Sequence, residues 1–160
     1  SDNLINRIRY LVRGCGCRWV ILDHLSIVVS GLENIDERRT IDNTMTALRS
    51  LVEELNIGLI LVSHLKRPDG NKGHEEGVTT SLSQLRGSHA IAQLSDICIG
   101  IERNIQDNEN SNYVTVRVLK NRFTGDCGVA SILSYNKDTG RLLDCDNLFE
   151  EDNDKQANTG

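Results

Sequence analysis

Residues 19–23 read Trp-Val-Ile-Leu-Asp, an apolar run without polar alternation that stops abruptly on a carboxylate. A short continuous run of this kind is what a strand covered on both faces of a parallel sheet requires. A second run, Leu59 to Val62, stops on Ser63-His64. Between the two, Ile41, Met45, Leu48, Val52 and Leu55 step by four, three, four and three, the spacing of one helical face. Asp36 and Glu37 suit the positive end of that helix. Strand, helix and strand in this order predict a right-handed βαβ crossover in a parallel sheet. Asp23 and His64 are then released at the same sheet edge, where open α/β sheets bind ligands.

The pattern extends in both directions. Leu4, Ile5, Ile8, Leu11 and Val12 recur at helical spacing behind Ser1 and Asp2, which can cap, and Gly14 and Gly16 end the element. From Leu65 to Ser81 the chain is polar and aperiodic, with Pro68, Gly70, Gly73 and Gly77. It reads as a long mobile loop carrying Lys66, Arg67 and Lys72. A short helix is expected over Ser88–Leu94, then strands at Ile97–Ile101 and Tyr113–Leu119 around the polar loop 104–112. Val129–Tyr135 and Arg141–Leu143 predict a closing hairpin around residues 136–140. The fold class is α/β, a parallel sheet with a C-terminal antiparallel hairpin.

Composition narrows the function classes. The chain has 160 residues, 38% of them hydrophobic and 26% charged, enough for one domain with a core. Its net charge of -5 resides in residues 144–160, where Asp144, Asp146, Glu150, Glu151, Asp152 and Asp154 face only Lys155. The body is neutral, so any nucleic-acid site is a local basic stripe. Cys15, Cys17, Cys98, Cys127 and Cys145 are odd in number and lack framework spacing, which suits reduced thiols in a cytosolic compartment. Cys15-Gly-Cys17 offers two metal ligands only and reads as a helix-to-strand turn. No apolar run is long enough to span a bilayer, and a protein without a signal peptide is expected.

Each candidate side chain has a bland reading beside the chemical one. A strand-ending Asp23 holds a hard cation or its water well, and the bland reading beside it is a helix cap or solvated turn. His64 is either a satisfied core imidazole or a donor beside a phosphate, joined to the basic loop that follows. Arg86 and Gln93, in "QLRGSHAIAQLSD", flank a small-residue turn with a helix start at Ser88. Lys120 and Arg122, in "LKNRFTGD", are either solvated at a strand end or aimed at a phosphate.

Six segments in order, "WVILDHLSIV", "LVSHLKRPDGNKGHEEG", "LRGSHAIAQLSD", "IGIERN", "VLKNRFTGD" and "YNKDTG", resemble the C-terminal half of the RecA-like motor of DnaB-type replicative helicases. The likeness is strongest to the primase-helicases of T-odd phages. It implies a partial motor domain over 1–143 and an acidic tail over 144–160. It also implies a hexameric ring that hydrolyses ATP or dTTP with Mg²⁺ to move single-stranded DNA 5′ to 3′ in the cytoplasm of a phage-infected bacterium. By the same likeness Asp23 is the Walker B metal ligand, His64 the phosphate sensor and Gln93 a relay toward DNA. Arg103 and Tyr135 sandwich the base, and Lys120 with Arg122 reaches a neighbouring subunit's nucleotide. Lys66, Arg67, Lys72 and Arg86 lie on the DNA side, and the tail resembles polymerase-docking tails in composition.

The chain departs from the family at two points. It holds no GxxxxGK[ST] phosphate loop, so alone it is expected to be inactive, and Ala92 stands where phage members often carry arginine. A RecA-type recombinase and a non-catalytic docking module are the rival readings.

Overall fold

The computed structural model describes residues 2–25, 37–68, 70–85 and 89–145. The expected caps Ser1 and Ser88, the helix-end charge Asp36, the candidate Arg86, and the tail from Asp146 onward lie outside the described residues. The element order is α1 (Asp2–Arg13), β1 (Trp19–Leu22), α2 (Glu37–Leu55), β2 (Gly58–Leu61), a 3-10 turn (Leu82–Gln84), α3 (His89–Leu94), β3 (Ile97–Glu102), β4 (Tyr113–Asn121), β5 (Gly128–Asn136) and β6 (Arg141–Asp144). They fall into two compact units, Ser1–Lys66 with Ser83–Asp96, and Arg67–Leu82 with Ile97–Gly160.

In the first unit β1 and β2 pair in parallel, Trp19 opposite Gly58 and Leu22 opposite Leu61. Helix α2 is the crossover, and its apolar stripe serves two clusters. Ile41 and Met45 pack with Leu25 and Ile91, while Leu48 and Leu51 pack with Ile8 and Val20. Leu51, rather than the expected Val52, is the buried residue of the last turns. Full burial of one such side chain contributes roughly 1.5–3 kcal/mol. Helix α1 ends at Arg13 and is closed by Gly16, whose φ of 73° is left-handed, with the N–H groups of Gly16 and Cys17 returning to the carbonyls of Val12 and Leu11.

Among the described residues strand β1 is covered on one face: Val20 is buried, whereas Trp19 and Ile21 are 69% and 67% exposed. Successive strand side chains point to opposite faces, and the clusters with α1 and α2 gather Val20, Leu22 and Leu59 on one of them. On the other, the Trp19 indole lies across Gly58, where an added Cβ would collide with the ring.

The second unit is a four-stranded antiparallel sheet in the order β3-β4-β5-β6. The expected closing hairpin is its last portion, and the strands run one or two residues beyond their expected ends. Register shifts occur between Cys98 and Ile99 and between Val116 and Arg117, as bulges produce.

Among its described residues, the polar run after Leu65 is tied by hydrogen bonds near its two ends. In the first unit Lys66 N–H donates to Gln84 O at 2.7 Å and Leu65 bridges Leu85. In the second, Gly73 N–H donates to Glu76 Oε2 at 2.7 Å and Gly77 N–H to His74 O at 3.1 Å, closing a turn. Glu76 bridges Asn104, and Thr80 is 4% exposed. The absence of apolar periodicity hid these contacts because they are made by backbone and polar groups.

Gly100 is buried in β3, and a Cβ there would collide with Thr80 Oγ1. Gly100→Ala is expected to destabilise the chain by about 1–3 kcal/mol through overpacking. Urea denaturation measures this, and an unchanged midpoint with unchanged slope would show that Thr80 has room to move.

Candidate functional site

At the C-terminal edge of the parallel pair the ladder runs on past the strands. Val62 N–H donates to Leu22 O and Leu25 N–H to Val62 O, both at 3.0 Å. Asp23 and His24 therefore lie beside Ser63 and His64. The Asp23–His24 peptide bond is cis. Asp23 and His64 are both exposed, so the carboxylate and imidazole expected at one edge are there and accessible. His24, which sequence reasoning passed over, meets His64 edge to face, with ring centroids 4.1 Å apart and planes at 75°. Its Nδ1 is buried with no hydrogen-bond partner among the described residues. Gln93 is exposed on α3, the helix that buries Ile91 against Leu25, Ile41 and Met45.

In the antiparallel unit the Arg103 guanidinium lies 4.9 Å from the Tyr135 ring centroid, a cation–π contact. Arg103 Nε also donates to Ser111 O at 2.7 Å, and Tyr135 N–H to Asn112 O at 2.8 Å. Both residues are thus fixed by the end of the 104–112 loop. That loop is built on Asn104 and Asp107, whose side-chain oxygens accept from the N–H groups of residues 106, 107, 109 and 110. The Asn110 N–H, foremost among these donors, holds the Asp107 carboxyl below its ordinary value. A planar group inserted between Arg103 and Tyr135 needs roughly 7 Å, two contacts of about 3.5 Å each. The pair is closed here and must open to admit one.

Lys120 lies within β4 opposite Cys98, and Arg122 follows the strand, exposed. The bend is held by Asn121, whose Oδ1 accepts from Phe123 N–H at 3.1 Å and Thr124 N–H at 3.3 Å. Asn121 Nδ2 donates to Thr124 Oγ1 at 2.8 Å, and Gly125 N–H to Asn121 O at 2.9 Å. This asparagine-built turn was legible in "NRFTGD" from the local bonding habit of Asn before Thr-Gly. Lys66, Arg67 and Lys72 are all exposed.

Beside Arg103 sits a second group the sequence did not single out. Glu102 Oε1 accepts from Thr80 N–H, Thr80 Oγ1 and Arg117 Nε, each at 2.8 Å, and Oε2 accepts from Arg117 Nη2 at 3.1 Å. Burial pushes the Glu102 carboxyl up, but the hydrogen bonds from Arg117 and Thr80 outweigh it and hold it below its ordinary value.

The family model described as the DnaB-like helicase C terminal domain matches residues 1–143. The chain belongs to that family. It is 46% identical over 142 residues to the DNA helicase/primase of Enterobacteria phage T3, covering 89% of this chain and 25% of that protein. It is 28% identical over 121 residues to the replicative DNA helicase DnaB of Leifsonia xyli subsp. xyli, covering 72% of this chain and 25% of the relative. The chain thus spans about a quarter of the length of these relatives. Among solved structures, one ATPase domain superposes with a TM-score of 0.73 at 25% identity over 89% of this chain and 50% of that one. A KaiC-like protein of Pyrococcus horikoshii OT3 gives 0.63 at 14% identity over 89% and 56%, a likeness of fold alone. The RecA-like α/β core expected from the sequence is the fold of this DnaB-like domain.

ATPases of this family imply Mg²⁺ and a nucleotide, and the edge residues fit that requirement. Among the described residues no three His, Cys, Asp or Glu side chains cluster as a metal cage. A lone accessible carboxylate such as Asp23 suits a cation that keeps several waters and completes its shell with phosphate oxygens. No helix among the described residues is long and apolar enough to cross a membrane.

The depressed Glu102 carboxyl makes a prediction about acid. A carboxyl whose folded value lies below its unfolded value, ordinarily about 4.3, adds stability that is complete above that unfolded value. The contribution disappears as pH falls through the folded value. Glu102→Gln is therefore expected to lower stability at pH 7 by about 1–3 kcal/mol and to flatten its decline between about pH 5 and 3. Denaturant titrations across that range test it, and an equally steep decline in the variant would remove Glu102 from the acid response.

Proposed function

We propose that this chain is the C-terminal part of the motor of a ring-shaped replicative DNA helicase. In the whole protein, hydrolysis of ATP or dTTP between subunits of a hexamer drives single-stranded DNA through the ring. The observation that carries this reading is the pairing of accessible Asp23 and His64 at one parallel-sheet edge, in a chain 46% identical to a phage helicase/primase. The rival readings, a recombinase and a non-catalytic module, are not favoured, because both relatives carry helicase names.

In this reading Asp23 holds the magnesium ion of the bound nucleotide, and His64 donates a ring N–H to the γ-phosphate. Bound Mg²⁺ supplies neutralisation of charge on the transferred phosphoryl group. Gln93 passes the nucleotide's state toward DNA. Arg103 and Tyr135 open to take the base on their guanidinium and π faces. Lys120 and Arg122 reach the nucleotide of the next subunit, where the planar fork of arginine matches phosphate oxygens and lysine supplies a point charge. Lys66, Arg67, Lys72 and Arg86 meet the phosphates of single-stranded DNA, which hold it without reading its sequence. Residues 144–160, with their net charge of -5, suit a basic face on a replicative polymerase. The setting is the cytoplasm of an infected bacterium.

An arginine acting in trans accounts for about 10³–10⁵ in rate. In the full-length protein Arg122→Ala is therefore expected to nearly abolish hydrolysis while nucleotide binding persists. Mixing Arg122→Ala with Asp23→Asn subunits, each inactive alone, should restore hydrolysis where an intact Asp23 meets a neighbour's intact Arg122. Mixed rings that form without regaining activity would put Arg122 within its own subunit. For the basic loop, replacing Lys66 and Lys72 by alanine should weaken single-stranded DNA binding and reduce the salt slope by about 0.7 per lost contact. An unchanged slope would take these lysines off the DNA path.

A further inference from the structure

Two ties join the segment that follows Lys72 to the strand end that carries Arg103, the hydrogen bonds of Thr80 and a β-bridge, both within the antiparallel unit. Thr80 donates its N–H and Oγ1 to Glu102 Oε1 at 2.8 Å each. Glu76 forms the β-bridge with Asn104, in which Ile105 N–H donates to Glu75 O at 3.0 Å. On the strand side the ties fall at residues 102, 104 and 105, bracketing Arg103. On the loop side they fall at 75, 76 and 80, immediately after Lys72.

The Thr80 tie has little slack. Thr80 is 4% exposed, Gly100 leaves the space its hydroxyl fills, and Glu102 is braced from its other side by Arg117. Closely packed groups of this kind move together or not at all. Arg103, meanwhile, is closed on Tyr135 at 4.9 Å, so admitting a planar base requires one of the two to shift by roughly 2 Å.

We propose that Thr80 and Glu102 are positioning residues that couple opening of the Arg103–Tyr135 pair to the position of the Lys72 loop. Occupancy by a nucleobase and the grip on a DNA phosphate backbone then share one free energy. The coupling rests on the roles given above to Arg103, Tyr135 and Lys72. It is a route separate from Gln93, which belongs to the other compact unit. Thermodynamic linkage makes such coupling reciprocal, and couplings of this kind amount to about 5–150-fold in affinity.

The test uses the full-length protein, a fluorescein-labelled oligo-dT strand, and the magnesium complex of a non-hydrolysable ATP analogue. The quantity read is the ratio of DNA dissociation constants without and with the analogue. Thr80→Val, which keeps shape and loses the hydroxyl, is expected to reduce that ratio about fivefold or to abolish it. Thr80→Ser, which keeps the hydroxyl, is expected to restore it to within about twofold. A merely structural role would lower the melting temperature without moving the ratio. A wild-type ratio of one, or an undiminished ratio in Thr80→Val, overturns the proposal. Should Thr80→Val not fold, hydrogen exchange in the wild-type protein decides: the analogue should slow exchange of amides 75–80, and unchanged exchange overturns it. Lys72→Ala separates the underlying reading from the coupling. If it leaves DNA affinity untouched, the loop is not on the DNA path and the coupling falls with that reading. If it weakens DNA binding while Thr80→Val keeps the wild-type ratio, the coupling alone is wrong.

Discussion

A carboxylate brought most of the way out of water has to be compensated where it stands, and Glu102 is that carboxylate here, its side chain 9% exposed. Left unpaired it would cost several kcal/mol, so the surroundings are arranged around it. Arg117 stands opposite Gly100 rather than opposite Glu102. Because Gly100 has no side chain, the guanidinium runs diagonally to Glu102, within reach of cross-strand neighbours. Thr80 occupies the remaining space and delivers two donors to one carboxylate oxygen. Thr80 is held in place as a consequence, and the bridge of Glu76 to Asn104 adds a second tie for the segment before it.

The parallel unit solves a different problem with few elements. A four-residue strand cannot by itself hold a charged end group rigid, so β1 is clamped against β2 and against α2, whose two apolar clusters run the length of the helix. The backbone bonds of Val62 to Leu22 and Leu25 extend the clamp past the last strand residue. What emerges is a carboxylate and an imidazole on stiff supports, with His24 set edge to face with His64 so that its ring has a defined neighbour. Stiff supports suit phosphate chemistry, in which positioning and electrostatics supply nearly all the catalysis.

The elements legible in the sequence were those written in apolar periodicity. The α2 stripe, the two strand runs and the release of Asp23 and His64 at one edge all follow from spacing, and each is present in the fold. Arg103 and Tyr135, named through family likeness, do meet. Polar contacts between distant segments were not legible. Nothing local to Thr80 marks it as the donor for a carboxylate twenty-two residues away, and alternation in β3 sets Ile97, Ile99 and Ile101 against Gly100 and Glu102. A reader of pattern alone would bury the isoleucines, yet they are 48%, 58% and 69% exposed and the glutamate faces inward. Likewise the unbroken apolarity of Trp19–Leu22 concealed that, among the described residues, only alternate ones are covered. Composition reports that a strand has two apolar faces; it cannot report which face has a neighbour.

The construction of the Arg122 turn shows what the proposed trans contact demands of the chain. A long cation at an exposed bend loses backbone freedom of about 1–2 kcal/mol per residue when it engages a partner, besides about 2 kcal/mol of side-chain rotamer freedom. Asn121 removes the first loss in advance by binding the N–H groups of Phe123 and Thr124, and Gly125, with φ of 80°, takes the left-handed position that brings the chain back. The Arg122 guanidinium is itself a planar fork, so less freedom is lost per hydrogen bond formed than with a lysine. A glycine-rich tip would reach as far but would lose both kinds of freedom at each engagement. A turn built by asparagine is therefore the better support for a contact of the kind proposed for Arg122, because its backbone is ordered before the partner arrives.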